Sequence, residues 1–254
     1  MSDLVLVQRH GSTAVVTLHQ PTKRNVLSAP LVQAIGAAFD EVEADPTVNA
    51  VVLTGAGPAF CAGAELSTLR AAAAGHFDSV REVYDGFLRV LRSPLPTIAA
   101  VNGPAVGAGF NLALACDIRL AGREAIFDTR FAKLRLHPGG GHAWLLARIV
   151  GQQQAMLASL FGQVWTAQQA CDVGLAVSIH YDNELLKDAI ALGNRLAGQE
   201  PELVRRFVGS LRRTLNGTHA EALAHETTAQ QWSTTRPAFL EGVTAIEAQV
   251  AKKK

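Results

Sequence analysis

A glycine-rich turn between a buried strand and an apolar helix constrains this chain most. Thr97–Val101 has the composition of a buried strand, and Asn102–Gly109 separates it from the apolar segment 110–115. A helix that begins near Gly107 presents unpaired N–H groups and a partial positive charge, so it attracts an anion or a developing oxyanion. Glycine there lets a ligand approach the backbone closely. Tight packing inside an α/β domain explains such a turn equally well, because glycine-rich loops are a weak signal.

A second segment of the same kind lies earlier in the chain. Val51–Thr54 reads as a short apolar strand, and Gly55–Ala64 is a loop of small residues before a predicted helix that follows Glu65. Two such loops can each place one backbone N–H on the same oxygen atom, which is the requirement for an oxyanion hole. A dinucleotide-binding oxidoreductase is excluded, since Phe60 occupies the third glycine position of that fingerprint.

The remaining pattern alternates strands with helices. Further strand-like runs are Leu4–Val7, Ala14–Leu18, Ile118–Ala121 and Ala125–Phe127. Ser28 is a good N-cap for a helix that Asp45–Pro46 ends. This alternation implies parallel strand pairing and an α/β core, for which the pattern alone allows a doubly wound sheet. Beyond about Asp182 only helices are predicted, at Glu184–Ala197, Glu202–Leu215, Ala220–Ser233 and Ala238–Ala251.

Composition excludes several classes of protein. The net charge of +1 gives no basis for binding nucleic acid. The three cysteines (Cys61, Cys116 and Cys171) lack a CxxC spacing, so we expect reduced, packed thiols, and no cluster has metal-ligand spacing. No apolar run reaches the roughly 18 residues that span a bilayer, and no secretory signal is evident. We therefore expect a soluble, cytoplasmic protein that binds neither nucleic acid nor membrane.

Several motifs, in order along nearly the whole chain, resemble the crotonase (enoyl-CoA hydratase/isomerase) superfamily. They are Gln20–Leu27, Phe60–Leu66, Asn102–Gly109, Cys116–Arg119, Arg148–Gly151 and Thr166–Ala176. The resemblance implies an α/β fold, a crotonase-like spiral of repeated ββα units. It places the spiral core with a CoA-thioester site in residues 1–195. Residues 196–254 would form a C-terminal helical region that oligomerises the chain into a homotrimer, or into a hexamer of two trimers.

The resemblance also implies how a ligand binds. The N–H groups of Ala64 and Ala108 would hold the oxygen of an acyl-CoA thioester, and alanine at 108, where the family usually has glycine, keeps the N–H. Lys23, Arg24 and Ala62 would lie near the coenzyme A portion. Coenzyme A enters as part of the substrate, and no separate cofactor is expected.

The chain departs from the hydratase pattern at both catalytic glutamates. The resemblance places them at Asn111 and Phe131, and the extra carboxylate that some family members carry would fall near Gly139. Asparagine can orient a water molecule but cannot exchange protons near neutral pH. Each lost general acid or base typically costs about 10²–10⁴ in rate, so we do not expect efficient hydration.

Other titratable residues surround the same positions: Asp128, Arg130, His137 and His142. His142 is predicted to begin a helix, where the helix N-terminus disfavours imidazolium and leaves a neutral base. Alternatively, His142 hydrogen-bonds its own turn. Asp128 is a second candidate proton carrier, unless it pairs with Arg130. His137, before a proline, has the weaker case.

Two functions remain open at this stage. The first is an enzyme that stabilises an enolate of an acyl- or enoyl-CoA thioester and catalyses isomerisation, decarboxylation, hydrolysis or weak hydration. In that enzyme Asn111 orients substrate or water, and His142 or Asp128 moves the proton. The second is a non-catalytic acyl-CoA-binding protein that has lost its acid–base pair. A His142 side chain turned away from the thioester would favour the second.

Overall fold

The computed structural model describes residues 4–214 and 217–252. The strands are β1 Val5–His10, β2 Thr13–Leu18, β3 Ala50–Gly55, β4 Thr97–Val101, β5 Pro104–Val106, β6 Ile118–Gly122, β7 Ile126–Asp128, β8 Trp165–Thr166 and β9 Ser178–His180. The α-helices are α1 Ala29–Ala44, α2 Leu66–Ala73, α3 Asp78–Leu91, α4 Ala108–Ala115, α5 His142–Ser159, α6 Ala167–Asp172, α7 Asp182–Gly193, α8 Pro201–Arg213, α9 His219–Thr234 and α10 Pro237–Ala251.

The strands form two sheets. The larger has the order β1-β2-β3-β4-β6-β9, and the smaller has the order β5-β7-β8. In the larger sheet β1 and β2 pair antiparallel. The other neighbouring strands of that sheet pair parallel, as the alternating pattern predicted. The segments β4-β5-α4 and β6-β7-α5 each place one strand in the large sheet, the next in the small sheet, and then a helix. This repeated ββα arrangement confirms the α/β spiral that the resemblance implied and excludes a doubly wound sheet.

Helix α1 shows how local sequence sets an element and its packing. The Ser28 hydroxyl accepts a hydrogen bond from the Leu31 N–H at 3.4 Å, so the predicted N-cap is confirmed. Apolar residues at helical spacing bury one face of the helix in the main core: Leu31, Ile35, Phe39 and Val42. The helix ends before Asp45, as predicted.

Three short strands were not predicted, namely β5, β8 and β9. Each has two or three residues and pairs only with strands distant in sequence. Their neighbours in the fold, rather than a period-2 pattern, make them extended. Strand β1 also runs to His10, beyond the predicted end at Val7, because it forms an antiparallel ladder with β2 as far as the His10–Thr13 pair.

The chain divides into two compact units on either side of the Ala197–Gly198 bond. The second unit contains α8, α9 and α10, with Pro201 and Pro237 in the first turns of α8 and α10, where proline is well tolerated. The predicted helix end at Leu215 lies outside the described residues. The role of residues 196–254 in oligomerisation stays a prediction. Within 4–214 and 217–252, no helix has the length and apolarity to cross a membrane.

Candidate active site

Two neighbouring parallel strands carry the glycine-rich loops. Val51–Thr54 of β3 pairs with Thr97–Ala100 of β4, residue by residue. Both loops therefore start at the carboxyl ends of the strands, on the same side of the sheet. Asn102 then links them, because its Oδ1 accepts the Gly55 N–H at 3.1 Å and its Nδ2 donates to the Gly57 carbonyl at 3.0 Å.

Beyond the strand ends, backbone hydrogen bonds hold the loops side by side. The Cys61 N–H donates to the Pro104 carbonyl at 3.1 Å, and the Val106 N–H donates to the Cys61 carbonyl at 3.0 Å. Gly109 packs directly on this pairing, since a Cβ there would lie 2.0 Å from the Cys61 carbonyl oxygen. Only glycine permits this approach. The start of α4 is thereby fixed against the first loop.

This arrangement brings the predicted donors Ala64 and Ala108 close together. A Cβ on Gly63, next to Ala64, would lie 2.8 Å from the Val106 carbonyl oxygen and 3.8 Å from the Ala108 nitrogen. Hydrogen bonds to Leu27 use the Gly63 carbonyl and the Glu65 N–H, so the Ala64 N–H between them is not part of that pairing. Ala108 is the first residue of α4, and its N–H belongs to the unpaired first turn. Both alanines are half-buried.

One turn further along α4, Asn111 contacts His142 at the start of α5. Asn111 is buried and donates from Nδ2 to the Gly139 carbonyl at 3.2 Å. Its Oδ1 lies 2.6 Å from His142 Nδ1. The bond to Gly139 fixes the amide orientation, so Oδ1 must accept and His142 Nδ1 must carry the proton. The helix start predicted at His142 is confirmed, but the side chain bonds Asn111 rather than its own turn.

The second ring nitrogen of His142 is the unusual feature. His142 is 1% exposed, and its Nε2 has no hydrogen-bond partner among the described residues. The ring packs edge-on against Phe110 and Phe131, at centroid distances of 5.8 and 5.1 Å. Burial among these rings lowers the pKa of His142 to about 4. The imidazole is therefore neutral at pH 7, as predicted, although desolvation is the cause, and Nε2 is a lone-pair acceptor.

Asp128 is placed differently. Its carboxylate is buried and receives the Arg130 N–H on Oδ1 at 2.8 Å and the Arg130 Nε–H on Oδ2 at 2.9 Å. The Asp128–Arg130 pair considered from the sequence is thus present. The Asp128 carbonyl also accepts the Gly107 N–H at 2.9 Å, which anchors the turn before α4. Both Asp128 carboxylate oxygens accept hydrogen bonds from Arg130, so the Asp128 side chain has a structural role.

The predicted coenzyme A contacts lie beside the first loop. The Ala62 N–H donates to the Arg24 carbonyl at 3.0 Å, and Lys23 Nζ is 3.8 Å from Glu65 Oε1. The Lys23 and Arg24 side chains are exposed. The structure therefore brings these three residues together and leaves their two cations open to solvent. His137, by contrast, is exposed and bonds the Pro138 carbonyl through Nδ1 at 2.7 Å.

Asn25 is a residue whose role the sequence analysis did not assign. It is fully buried, and its Nδ2 donates to the carbonyls of Ala59 at 2.9 Å and Ala56 at 3.0 Å. Its Oδ1 accepts the Gln20 N–H at 2.8 Å. Asn25 also has φ +54°, a conformation that asparagine tolerates better than most residues. It ties the Gln20–Leu27 motif to the first glycine-rich loop, and its position inside that motif was the available signal.

The fold and these loops define a class of α/β proteins with glycine-rich loops at the ends of two adjacent parallel strands. The crystal structure of an enoyl-CoA hydratase from Mycobacterium smegmatis is similar over 98% of this chain and 97% of its own, with a TM-score of 0.90 and 28% identity. The sequence profile described as enoyl-CoA hydratase/isomerase matches residues 8–252. The chain belongs to the enoyl-CoA hydratase/isomerase family.

Two curated relatives differ in their named activities. A probable enoyl-CoA hydratase of Mycobacterium tuberculosis is 44% identical over 225 residues, which cover 88% of this chain and 87% of the relative. A 1,2-epoxyphenylacetyl-CoA isomerase of Escherichia coli is 35% identical over 204 residues, covering 78% of each chain. Similarity alone therefore does not choose between hydration and isomerisation.

Proposed function

We propose that this chain binds acyl- or enoyl-CoA thioesters and moves a proton between carbons of an enolate intermediate. The observation that carries the proposal is the buried, unpartnered Nε2 of His142, whose Nδ1–H is held by Asn111, one turn of α4 beyond Ala108. The reaction class that suits a single neutral base is isomerisation of an enoyl thioester.

The first element of the proposal is the oxyanion hole. The thioester oxygen would accept hydrogen bonds from the N–H groups of Ala64 and Ala108, which are half-buried and lie on loops in direct contact. Negative charge on that oxygen makes the neighbouring carbon acidic and stabilises the enolate. Such preorganised donors are worth roughly 10²–10³ in rate each.

The second element is the base. His142 Nε2 accepts the proton from one carbon and returns it to another, while Asn111 keeps the ring in the tautomer that leaves Nε2 free. Because Nε2 is shielded from solvent, the substrate must displace the Phe131 ring or its loop to reach it. Exclusion of water from the base favours return of the same proton to the substrate over hydration.

Hydration has less support at this site. It needs a positioned water and two proton-exchanging groups, whereas Asn111 and Phe131 stand where the resemblance places the glutamates. Asp128 does not replace them in the proposal, because Arg130 occupies its carboxylate. Lys23 and Arg24 would attract the phosphates of coenzyme A from the exposed rim beside Ala62.

The alternative is a non-catalytic acyl-CoA-binding protein. One observation favours it: a pKa of about 4 makes His142 a weak base, and in the part of the chain that the structure describes its ring nitrogens have no carboxylate partner. For either function we place the chain in the cytoplasm as a homotrimer or hexamer. Neither function needs a further cofactor.

Deuterium incorporation distinguishes these possibilities. The chain is incubated in D₂O with a 2-enoyl-CoA and separately with the matching 3-enoyl-CoA, and the products are analysed by mass spectrometry. Isomerisation interconverts the two with little deuterium uptake, because the shielded base returns the same proton, whereas hydration in D₂O adds the elements of heavy water. We expect interconversion, and we expect His142→Gln to slow it by about 10²–10⁴.

The matched control is His137→Gln, which removes an exposed imidazole from the same loop region and should retain the wild-type rate. Accumulation of the hydrated thioester at a rate that His142→Gln does not change would refute the proposed base. Calorimetric binding of the thioester with no conversion and no deuterium uptake would instead establish the acyl-CoA-binding protein.

A further inference from the structure

A cavity of about 570 Å³ lies away from the glycine-rich loops, at the β9 edge of the large sheet. This volume is within the usual range for small-molecule sites. None of its wall residues belongs to the thioester site proposed above. The wall consists of Arg123, Thr166, Ala167, Gln168, Ile179, His180, Tyr181, Glu184 and Asp188.

A serine, a histidine and an aspartate form a continuous series of hydrogen bonds, and the histidine and the aspartate lie in the cavity wall. His180 Nε2 lies 2.7 Å from the Ser178 hydroxyl oxygen, and His180 Nδ1 lies 2.6 Å from Asp188 Oδ2. A carboxylate can only accept, so Nδ1 carries a proton, and in the neutral imidazole Nε2 accepts the Ser178 O–H. These are the tautomer and the polarity that activate a serine nucleophile through a histidine base.

The fold explains how three residues near in sequence reach this geometry. Ser178 and His180 are two apart on β9, so their side chains share one face of the strand. Asp188 comes from the second turn of α7, which follows the strand directly. Strand β9 is at the edge of the sheet, Ser178 is half-buried, and its hydrogen-bond partner His180 lies in the cavity wall.

Arg123 supplies positive charge beside the hydrogen-bonded residues Ser178, His180 and Asp188. It directly follows Gly122, which is paired in register with His180. The Arg123 guanidinium stacks on the Tyr181 ring at 3.9 Å from the centroid, which holds the side chain at the cavity wall. A guanidinium there can face the negative oxygen that develops when a carbonyl is attacked.

We propose that Ser178, His180 and Asp188 form a second nucleophilic site, which accepts acyl groups from small activated carboxylic esters. The Ser178 oxygen bonds to the carbonyl carbon as its proton passes to His180 Nε2. The carbon–oxygen bond to the leaving alcohol then breaks, and that alcohol takes the proton from Nε2. Water attacks the acyl-serine by the same route in reverse and releases the carboxylic acid, while Arg123 faces the oxyanion in both steps.

A fluorophosphonate probe tests the nucleophile directly. Attack by Ser178 forms a serine–phosphorus bond, expels fluoride and leaves the proton on His180. The folded full chain is incubated with the probe, and the modified peptide is mapped by mass spectrometry. We expect the adduct on Ser178. We expect His180→Gln, which keeps Ser178 in place, to slow labelling by at least about 100-fold, as for loss of a general base.

The matched control is Ser79→Ala, because the half-buried Ser79 hydroxyl donates to the His76 carbonyl at 2.8 Å instead of to an imidazole. This variant should label like the wild type. Hydrolysis of an aryl acetate, with an initial burst of the phenol, should be lost in Ser178→Ala while thioester binding is kept. An unmodified Ser178 in the folded chain, or equal labelling in His180→Gln, would overturn the proposal.

Discussion

The buried imidazole of His142 makes a quantitative prediction about stability and pH. Burial lowers its pKa in the folded chain to about 4, from the ordinary histidine value of 6.5. Below pH 6.5 the unfolded imidazole binds a proton that the folded one does not, so stability falls as the pH falls. No such contribution exists above pH 6.5, and the full loss is reached near pH 4.

The magnitude follows from these two values. Between pH 7 and pH 5 the linkage costs the folded state about 2 kcal/mol. The substitution His142→Gln removes the titrating group, and its amide can still donate to Asn111. The free energy of unfolding of the wild type, relative to the variant, should therefore decrease by about 2 kcal/mol over this interval.

Urea denaturation at pH 7.0, 6.0 and 5.0, at one protein concentration, measures this difference. Carboxylates elsewhere titrate in both chains and cancel in the comparison. His137→Gln, which changes an exposed imidazole outside the buried cluster, is the matched control. The burial argument would be refuted if the free energies of unfolding of the wild type and His142→Gln changed in parallel with pH. It would also be refuted if the wild type became more stable relative to the variant as the pH falls.

Three further substitutions test other parts of the site. Ala108→Pro removes one N–H at the first position of α4, where proline fits a helix, and should lower kcat/KM for a thioester by about 10²–10³. The control Ala108→Gly should keep the wild-type kcat/KM, and equal values for the two variants would exclude Ala108 as a donor. Asn111→Leu leaves the Gly139 carbonyl and His142 Nδ1–H unpaired and should lower the free energy of unfolding by about 2–3 kcal/mol, with Asn111→Asp retaining the acceptor. Asn25→Ala should cost about 3 kcal/mol, and Asn25→Gly, which relieves the positive φ, about 1 kcal/mol less; urea midpoints that do not differ from wild type would contradict the buried bonds.

Local signals in the sequence were sufficient for the elements that position the site. Ser28 marks the start of α1 and Gly107 the start of α4 because capping and glycine turns are encoded within a few residues. Strands β5, β8 and β9 were missed because each is extended only through pairing with distant strands. The His142 helix start was predicted locally, but its bond to Asn111 joins two helices and has no local signature.

The same limit applies to charge and tautomer. The neutral state of His142 was expected from the helix N-terminus, yet burial against Phe110 and Phe131 causes it, and those contacts depend on packing. The Asp128–Arg130 pair was foreseeable because the two residues are neighbours on one turn. The hydrogen bonds that join Ser178, His180 and Asp188 need two residues of one strand and one residue of the following helix, and no motif in the sequence indicated them.

The pairing of β3 with β4 has a consequence for how accurately the two proposed N–H donors are aligned. The Ala64 and Ala108 loops extend from these strands and are joined by the Cys61–Ala105 bridge. A slip of one residue between the strands would move one donor by about 3.3 Å relative to the other, more than the length of a hydrogen bond. Misfolded chains with shifted strands would therefore be inactive even if compact, and thioester turnover would count only the molecules whose central sheet is in register.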